Sequence, residues 1–590
     1  MNMPGKITII FLIALAFTIT FSISCRKQAL ITDINPCIPE NTVSFVKLSE
    51  FYQYKTELME DEETFKNIVK EIIILYTNHL KEETANETRS KLILEFLSFF
   101  NEDMIIEIIK QQALFGITLD ENNKTNPYII ISYSKSSSDA FEGFFKKLSD
   151  FLKKHSELTA RGSYQDSDYD IYTFDFSELN LDSSMNRINN IYASRTGNKI
   201  ILTANEQDAK NIINLTKDIS DRSILKSTSY QKHQKHGVIY PDSPLEYYYS
   251  LQNILKKDYS HALTAQDIPL DHQFIKDMTS IIDSISFSLS RNTQDLHLKC
   301  FILLNDDIRD KKLLSLIKIP PQNFEFLDFT PRDSLLIGGY QVCNAMDIYS
   351  YITQDSPLPA ESRDKIAKYA ENPDPSTQLT LKDDVIDVLG QEIGFALLSY
   401  GNFGFLGTEA VLFLSHKDHE KAGKTMAIVK AIASRNQPFN SFNETYLDYE
   451  FTVYPLGVLS PSLLLTDDFI VLGSTRLAVK EIIDTIHDPD QNVYNDPVFS
   501  KHIKELGLTK KANIIYISKN REIMNSFLST LKTLEHFVAK SDNAIMQDKK
   551  SAFQLSHDII NYMNVFKSSS VKGILVEDGY LIDAVQKKEQ

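Results

Sequence analysis

Apolar positions along this chain fall into short strand-like runs, mostly in pairs, with amphipathic helical stretches between the pairs. "KIILT" from Lys199 and "FIVLG" from Phe469 are continuous apolar runs that read as buried strands. Each leads through a cap-type residue (Asn205, Thr475) into a 3.6-residue period. Ala209, Ile212 and Ile213 then lie on one helical stripe. Further upstream, Phe141, Phe144, Phe145, Leu148, Phe151 and Leu152 make a wide apolar helical face. "DYDIYTFDF" and "DYEFTVYPL" alternate with period two, as half-buried strands do. Strand pairs joined by short polar turns, with helices between, predict an α+β class built of antiparallel sheet with helices packed on one face.

The pattern occurs twice. "KIILTANEQDAKNIINL" and "FIVLGSTRLAVKEIIDT" align without a gap, and further blocks follow in the same order. "PENT" at Pro39 pairs with "PRDS" at Pro331, and "ALFGITLD" with "EIGFALLSY". "PYIIISYSKSSSDAFEGFFKKLSDFL" pairs with "EAVLFLSHKDHEKAGKTMAIVKAIA", "SYQKH" with "FSKH", and "GVIYPD" with "NIIYIS". Each copy closes on a hairpin, the second with Asp578-Gly579 at its turn. The expected organisation is a signal at 1–24, a tether at 25–37, one copy at 38–318, a linker at 319–328 and a second copy at 329–590.

The N-terminus sets the compartment. Residues 7–24 carry no charge, follow Lys6 and end at Cys25 before Arg26-Lys27. This is the layout of an export signal, and the run is also just long enough to span a bilayer as a helix. Ser22-Ile23-Ser24-Cys25 resembles the lipobox of bacterial lipoproteins, with Ser22 where that family usually has leucine. The resemblance implies lipidation of Cys25 after removal of residues 1–24. The alternatives are an uncleaved helix, giving a bitopic inner-membrane protein, and a signal cut elsewhere. All three, the last of them plain secretion, place the body outside the cytoplasm, and the lipoprotein reading places it membrane-anchored on the bacterial cell envelope. Beyond the signal, "P-x-[DN]-[TS]", "VLGQEIGFALL" and "DDFIVLGST" together resemble a family of duplicated bacterial envelope proteins of unknown function. That resemblance implies a fold and an export route and brings no catalytic residues with it.

Composition narrows the partners. The 590-residue chain carries 62 Lys+Arg against 79 Asp+Glu, a net charge of −17, which opposes a nucleic-acid partner. Its four cysteines form no CxxC pair, so neither a zinc ribbon nor a dithiol redox site is expected. Cys37 is expected near the surface, while the alternation Leu296, Leu298, Cys300, Ile302 places Cys300 on an apolar face. The pairing of Cys37, Cys300 and Cys343 is open.

Candidate chemistry is sparse. His416 and His419 have metal-like spacing but lie where a strand becomes a helix, and a solvated helix start accounts for them. His233 and His236 sit in a polar stretch, and His502 echoes only the first. "AGKT" at Ala422 lacks the glycine that a phosphate loop needs five positions before Gly423. "GNFGFLG" at Gly401 reads as a hairpin turn. No catalytic residue, metal or cofactor is assigned. Tyr247, Tyr248 and Tyr249, read as part of a helix, cannot all face a core, so they form a candidate partner contact. The functional expectation is a lipid-anchored, non-catalytic binding or scaffolding module, with a protein or small apolar ligand between the two copies. An exported hydrolase whose site converges only in three dimensions is the alternative.

Overall fold

The computed structural model describes residues 34–49, 108, 110–120, 125–134, 137–155, 157–165, 167–173, 190–239, 243–251, 281–290, 295–306, 310–356, 358–375, 377–401, 404–435, 441–456, 460–507, 511–525 and 566–587. The signal run and Cys25 lie outside these. Contacts divide the chain into two units, the first ending at Leu304 and the second containing residues 305–590.

The first unit holds strands β1 (Thr42–Ser49), β2 (Gln112–Leu119), β3 (Thr125–Ser132), β4 (Glu157–Tyr164), β5 (Ser167–Thr173), β6 (Asn190–Thr196), β7 (Lys199–Thr203), β8 (Leu245–Ser250), β9 (Ile282–Ser290) and β10 (Asp295–Leu304). They pair in the order β10-β9-β8-β1-β2-β3-β7-β6-β5-β4, every pair antiparallel. Helix α1 (Ser138–His155) follows β3, α2 (Glu206–Thr216) follows β7, and α3 (Thr228–Lys235) precedes β8.

The second unit begins with α4 (Lys311–Ile317), which the sequence pattern placed at the end of the first copy. Its strands are β11 (Leu336–Gln341), β12 (Leu389–Gly401), β13 (Gly404–His416), β14 (Phe442–Tyr446), β15 (Tyr449–Val453), β16 (Ser462–Leu465), β17 (Phe469–Gly473), β18 (Ile514–Ser518), β19 (Ser568–Val576) and β20 (Gly579–Lys587). Their order is β20-β19-β18-β11-β12-β13-β17-β16-β15-β14, again antiparallel throughout. Strand for strand, this is the order of the first unit. Helices α5 (Ala345–Ser350) and α6 (Ala360–Glu371) lie between β11 and β12. Helix α7 (His419–Arg435) follows β13, α8 (Arg476–His487) follows β17, and α9 (Pro497–Glu505) precedes β18.

Helices cover both faces of each sheet, which corrects the one-face expectation. Ile130 of β3 packs with Ala209, Ile212 and Ile213 of α2, whereas its neighbour Ile131 packs with Phe141, Phe144 and Leu148 of α1. Successive strand residues point to opposite faces, so α1 and α2 sit on opposite sides. In the second unit Leu464 and Val471 meet α8, while Leu463 and Ile470 meet α7. Two-sided burial is the physical reason "KIILT" and "FIVLG" are unbroken apolar runs. The caps form as read: Asn205 Oδ1 accepts from the Gln207 and Asp208 N–H groups, and Thr475 Oγ1 from the Ala478 N–H. After α3 and α9 the chain turns through Gly237 (φ 64°) and Gly507 (φ 58°), left-handed positions that side chains resist.

Two predicted elements differ. "GVIYPD" forms no strand at Gly237–Ile239; β8, "LEYYYS", occupies in the first sheet the place that β18 occupies in the second. Within the stretch 319–328, read as a short joint, Phe324, Phe326 and Leu327 are buried and Glu325–Phe329 forms a 3-10 turn within the second core. Residues 34–37, read as tether, likewise belong to the first core, where Ile34 and Cys37 are buried.

Candidate functional site

The tyrosine triplet lies on strand β8, not on a helix, and alternation settles its orientation. Tyr248 is 1% exposed and packs against Phe45 and Tyr230. Tyr247 and Tyr249 point to the opposite face, half-buried, with Tyr247 stacked on Phe287 at 4.9 Å. Burial pushes the Tyr247 and Tyr248 hydroxyls up to about 12. Cys300 pairs with Phe287 across β9 and β10 and shares that half-buried face. The fully buried face of β10 belongs to Phe301 and Leu303, contrary to the expected stripe. Burial raises the Cys300 thiol to about 11, away from reactivity. Cys37, expected near the surface, is 3% exposed; Cys37, Cys300 and Cys343 are free thiols.

His416 Nε2 and His419 Nδ1 each lie 3.1 Å from the Thr466 carbonyl oxygen, at the passage from β13 into α7. Among the described residues no three His, Cys, Asp or Glu side chains are grouped to hold a metal. The Ala422–Thr425 stretch lies inside α7, with Ala422 and Thr425 buried. Gly401 at the end of β12 pairs with Gly404 at the start of β13.

Strand pairing fixes which positions of the two sheets correspond. Pro39 and Pro331 each form an isolated bridge, to Ser223 and Asn492. Eight residues on stand Lys47 and Gly339, facing Glu246 on β8 and Ile515 on β18. His233 and His502 lie thirteen residues before Glu246 and Ile515 and are held alike. His233 Nδ1 and Nε2 reach the Ser286 and Ser284 hydroxyls of β9 at 2.6 and 2.8 Å. His502 reaches the Ser570 and Ser568 hydroxyls of β19 at 2.8 Å each, again Nδ1 to the later serine. Burial, with His236 beside one ring and Lys587 and Lys501 beside the other, lowers them to about 3 and about 4. Both imidazoles are therefore neutral bridges that fasten a helix to the sheet.

The departure between the units is charged. Lys47 Nζ lies 2.7 Å from Glu246 Oε2 and donates to Asn35 Oδ1 at 2.9 Å; the Tyr230 hydroxyl donates to Glu246 Oε1 at 2.8 Å. Lys47, Glu246 and Tyr230 are 0% exposed and Asn35 1%. The corresponding positions in the second unit are Gly339, Ile515, Phe499 and Leu327, all apolar. Phe326 fills that space so closely that a Cβ on Gly339 would lie 2.5 Å from its ring. A hydrogen-bonded ion pair sealed from solvent can hold segments together; it offers no path to a substrate.

The second unit has its own buried carboxylate. Glu392 accepts from the Phe326 N–H at 2.8 Å and the Glu325 N–H at 3.1 Å, capping the 3-10 turn, and burial raises it to about 7. A shallow apolar cleft of about 200 Å³ lies between α7 and β15–β17, lined by Val429, Tyr454, Leu456, Pro461, Leu463 and Leu472. It is smaller than the roughly 300–1,000 Å³ typical of small-molecule sites.

Sequence reasoning passed over Lys47 and Glu246, although a signal was present. Aligning "PENTVSFVK" with "PRDSLLIGG" sets Lys47, the one charged residue of its strand, against Gly339. No protein-family model, curated protein or solved structure matches the chain.

Proposed function

We propose that this chain is a lipid-anchored envelope protein made of two copies of one α+β unit, acting as a non-catalytic binding or scaffolding module. The observation that carries the reading is the agreement of the two units in strand order and in the buried His–Ser–Ser bridge, in which the matched residues are architectural. The buried charged pair that sets the first unit apart, Lys47 and Glu246, is closed off from solvent, which suits a body that binds more than one that transforms. Location rests on the uncharged run 7–24 ending at Cys25, where diacylation supplies about 0.8 kcal/mol per buried methylene. A net charge of −17 directs the search for partners to proteins or small apolar ligands.

Cys25→Ser tests the location. The lipoprotein reading expects wild-type protein in the membrane fraction, labelled by a fatty-acid analogue and lacking residues 1–24, and the variant unlabelled. Full-length protein that stays membrane-bound after the substitution supports the uncleaved helix, a reading favoured by Ser22 at the usual leucine position. Protein in the cytosol refutes both.

A further inference from the structure

We propose that residues 34–41 form a releasable clasp, fastened over the Lys47–Glu246 ion pair, whose opening lengthens the span between the bilayer and the first sheet. The clasp is a 3-10 turn at Asn35–Cys37, closed by the Cys37 N–H on the Ile34 carbonyl at 2.9 Å. It is stitched to the 222–224 segment: the Glu40 N–H donates to the Arg222 carbonyl and the Ile224 N–H to the Ile38 carbonyl, both at 2.9 Å. Ile34, Cys37 and Ile38 bury their side chains, and the Thr216 hydroxyl donates to Cys37 Sγ. Under the turn lies charge, because Asn35 Oδ1 accepts directly from the Lys47 ammonium.

The equivalent turn of the second unit, Glu325–Phe329, lies on Gly339 and Ile515, and its Phe326 and Leu327 join an apolar core. The difference acts on the opened state. Lifting either turn exposes hydrocarbon to water, Phe326 and Leu327 in the second unit and Ile34, Cys37 and Ile38 in the first, which opposes opening in both. Lifting the clasp uncovers an ammonium and its carboxylate, and hydration returns part of what burying them cost. The charged base therefore makes the first turn the more readily released of the two, while the bond from Lys47 to Asn35 and the backbone bonds to the 222–224 segment keep it closed at rest.

The position of the clasp gives this a consequence that rests on the lipid anchor at Cys25. From Cys25 to Asp33 the chain has nine residues, so its span cannot exceed about 32 Å at roughly 3.5 Å per residue. Releasing the clasp through Asn41 makes seventeen residues and a limit of about 60 Å. A body held against the membrane would gain nearly twice the reach without unfolding its sheet.

Cys37 is a built-in reporter. In membrane-extracted full-length protein carrying Cys300→Ser and Cys343→Ser, N-ethylmaleimide labelling of Cys37 is followed by mass spectrometry of the tryptic peptide that carries it, which runs from Gln28 to Lys47, or to Lys55 where Lys47 is replaced. Cys25 falls on a different peptide, so a missing lipid is detected separately and leaves the clasp test intact. The proposal expects labelling at a rate insensitive to low urea. Asn35→Ala should label at least tenfold faster, and the paired change Lys47→Met with Glu246→Leu at least tenfold slower. Equal rates in the wild type and the paired variant overturn it, as does a rate that follows global unfolding across the urea series. If the paired variant does not fold, Asn35→Ala decides alone, and absence of acceleration overturns the proposal.

Discussion

Replacing Glu392 by glutamine should stabilise the second unit at alkaline pH and leave it nearly unchanged near pH 5. Burial raises this carboxyl from its ordinary 4.5 to about 7, with the Phe326 and Glu325 N–H groups opposing the shift. Between those two values the folded state holds a proton that the unfolded chain has released. Its stability is therefore fully present below about pH 4.5 and is lost as pH rises through about 7. At about 1.4 kcal/mol per unit, the loss between pH 5 and pH 8 is roughly 2–3 kcal/mol. Glutamine removes the charge and keeps an acceptor oxygen, though one N–H exchanges its own carboxylate oxygen for a shared one, costing about 1 kcal/mol at both pH values. Hydrogen exchange of β11 and β12 amides, corrected for intrinsic pH dependence, reads the effect. The wild type should lose roughly 30- to 150-fold in protection from pH 5 to pH 8 relative to the variant. Parallel pH profiles for the two proteins would refute the argument.

Three other substitutions test the packing. Tyr248→Ala should cost roughly 3–5 kcal/mol, as removal of a fully buried ring does, and Tyr247→Ala on the half-buried face clearly less; urea denaturation compares them. Gly237→Ala and Gly507→Ala, at left-handed positions ending equivalent helices, should each cost on the order of 1 kcal/mol, read by hydrogen exchange in α3 and α9. Asn205→Ala and Thr475→Ala each remove an N-cap acceptor and should lower protection in α2 and α8 by about 1 kcal/mol, leaving the opposite unit unaffected.

Where periodicity was strong, the elements were legible. The stripe Ala209, Ile212, Ile213 and the caps at Asn205 and Thr475 are as the pattern reads them, because local propensity and burial agree there. The tyrosine strand was misread as helix: three adjacent aromatic residues suit either period, and only pairing with β1 and β9 selects the strand. Helices on both faces were announced by the continuous apolar runs of β7 and β17, a two-sided signal read as one-sided. The 319–328 stretch was read as a joint from its prolines, while Phe324, Phe326 and Leu327 in it already signalled burial. The charged cluster needed the two halves compared position by position, since lysine in a strand is ordinarily a solvated edge residue.

The claim at the centre is that both units keep one architecture, each with a neutral imidazole bridging two serines of its sheet. NMR titration of histidine-labelled protein, assigned with His233→Gln and His502→Gln, tests it directly among the 13 histidines. The account predicts that both rings stay neutral from pH 8 to pH 5 and hold the same tautomer. An imidazole at either position that protonates near pH 6.5, or one that is shielded while its counterpart is not, would contradict it.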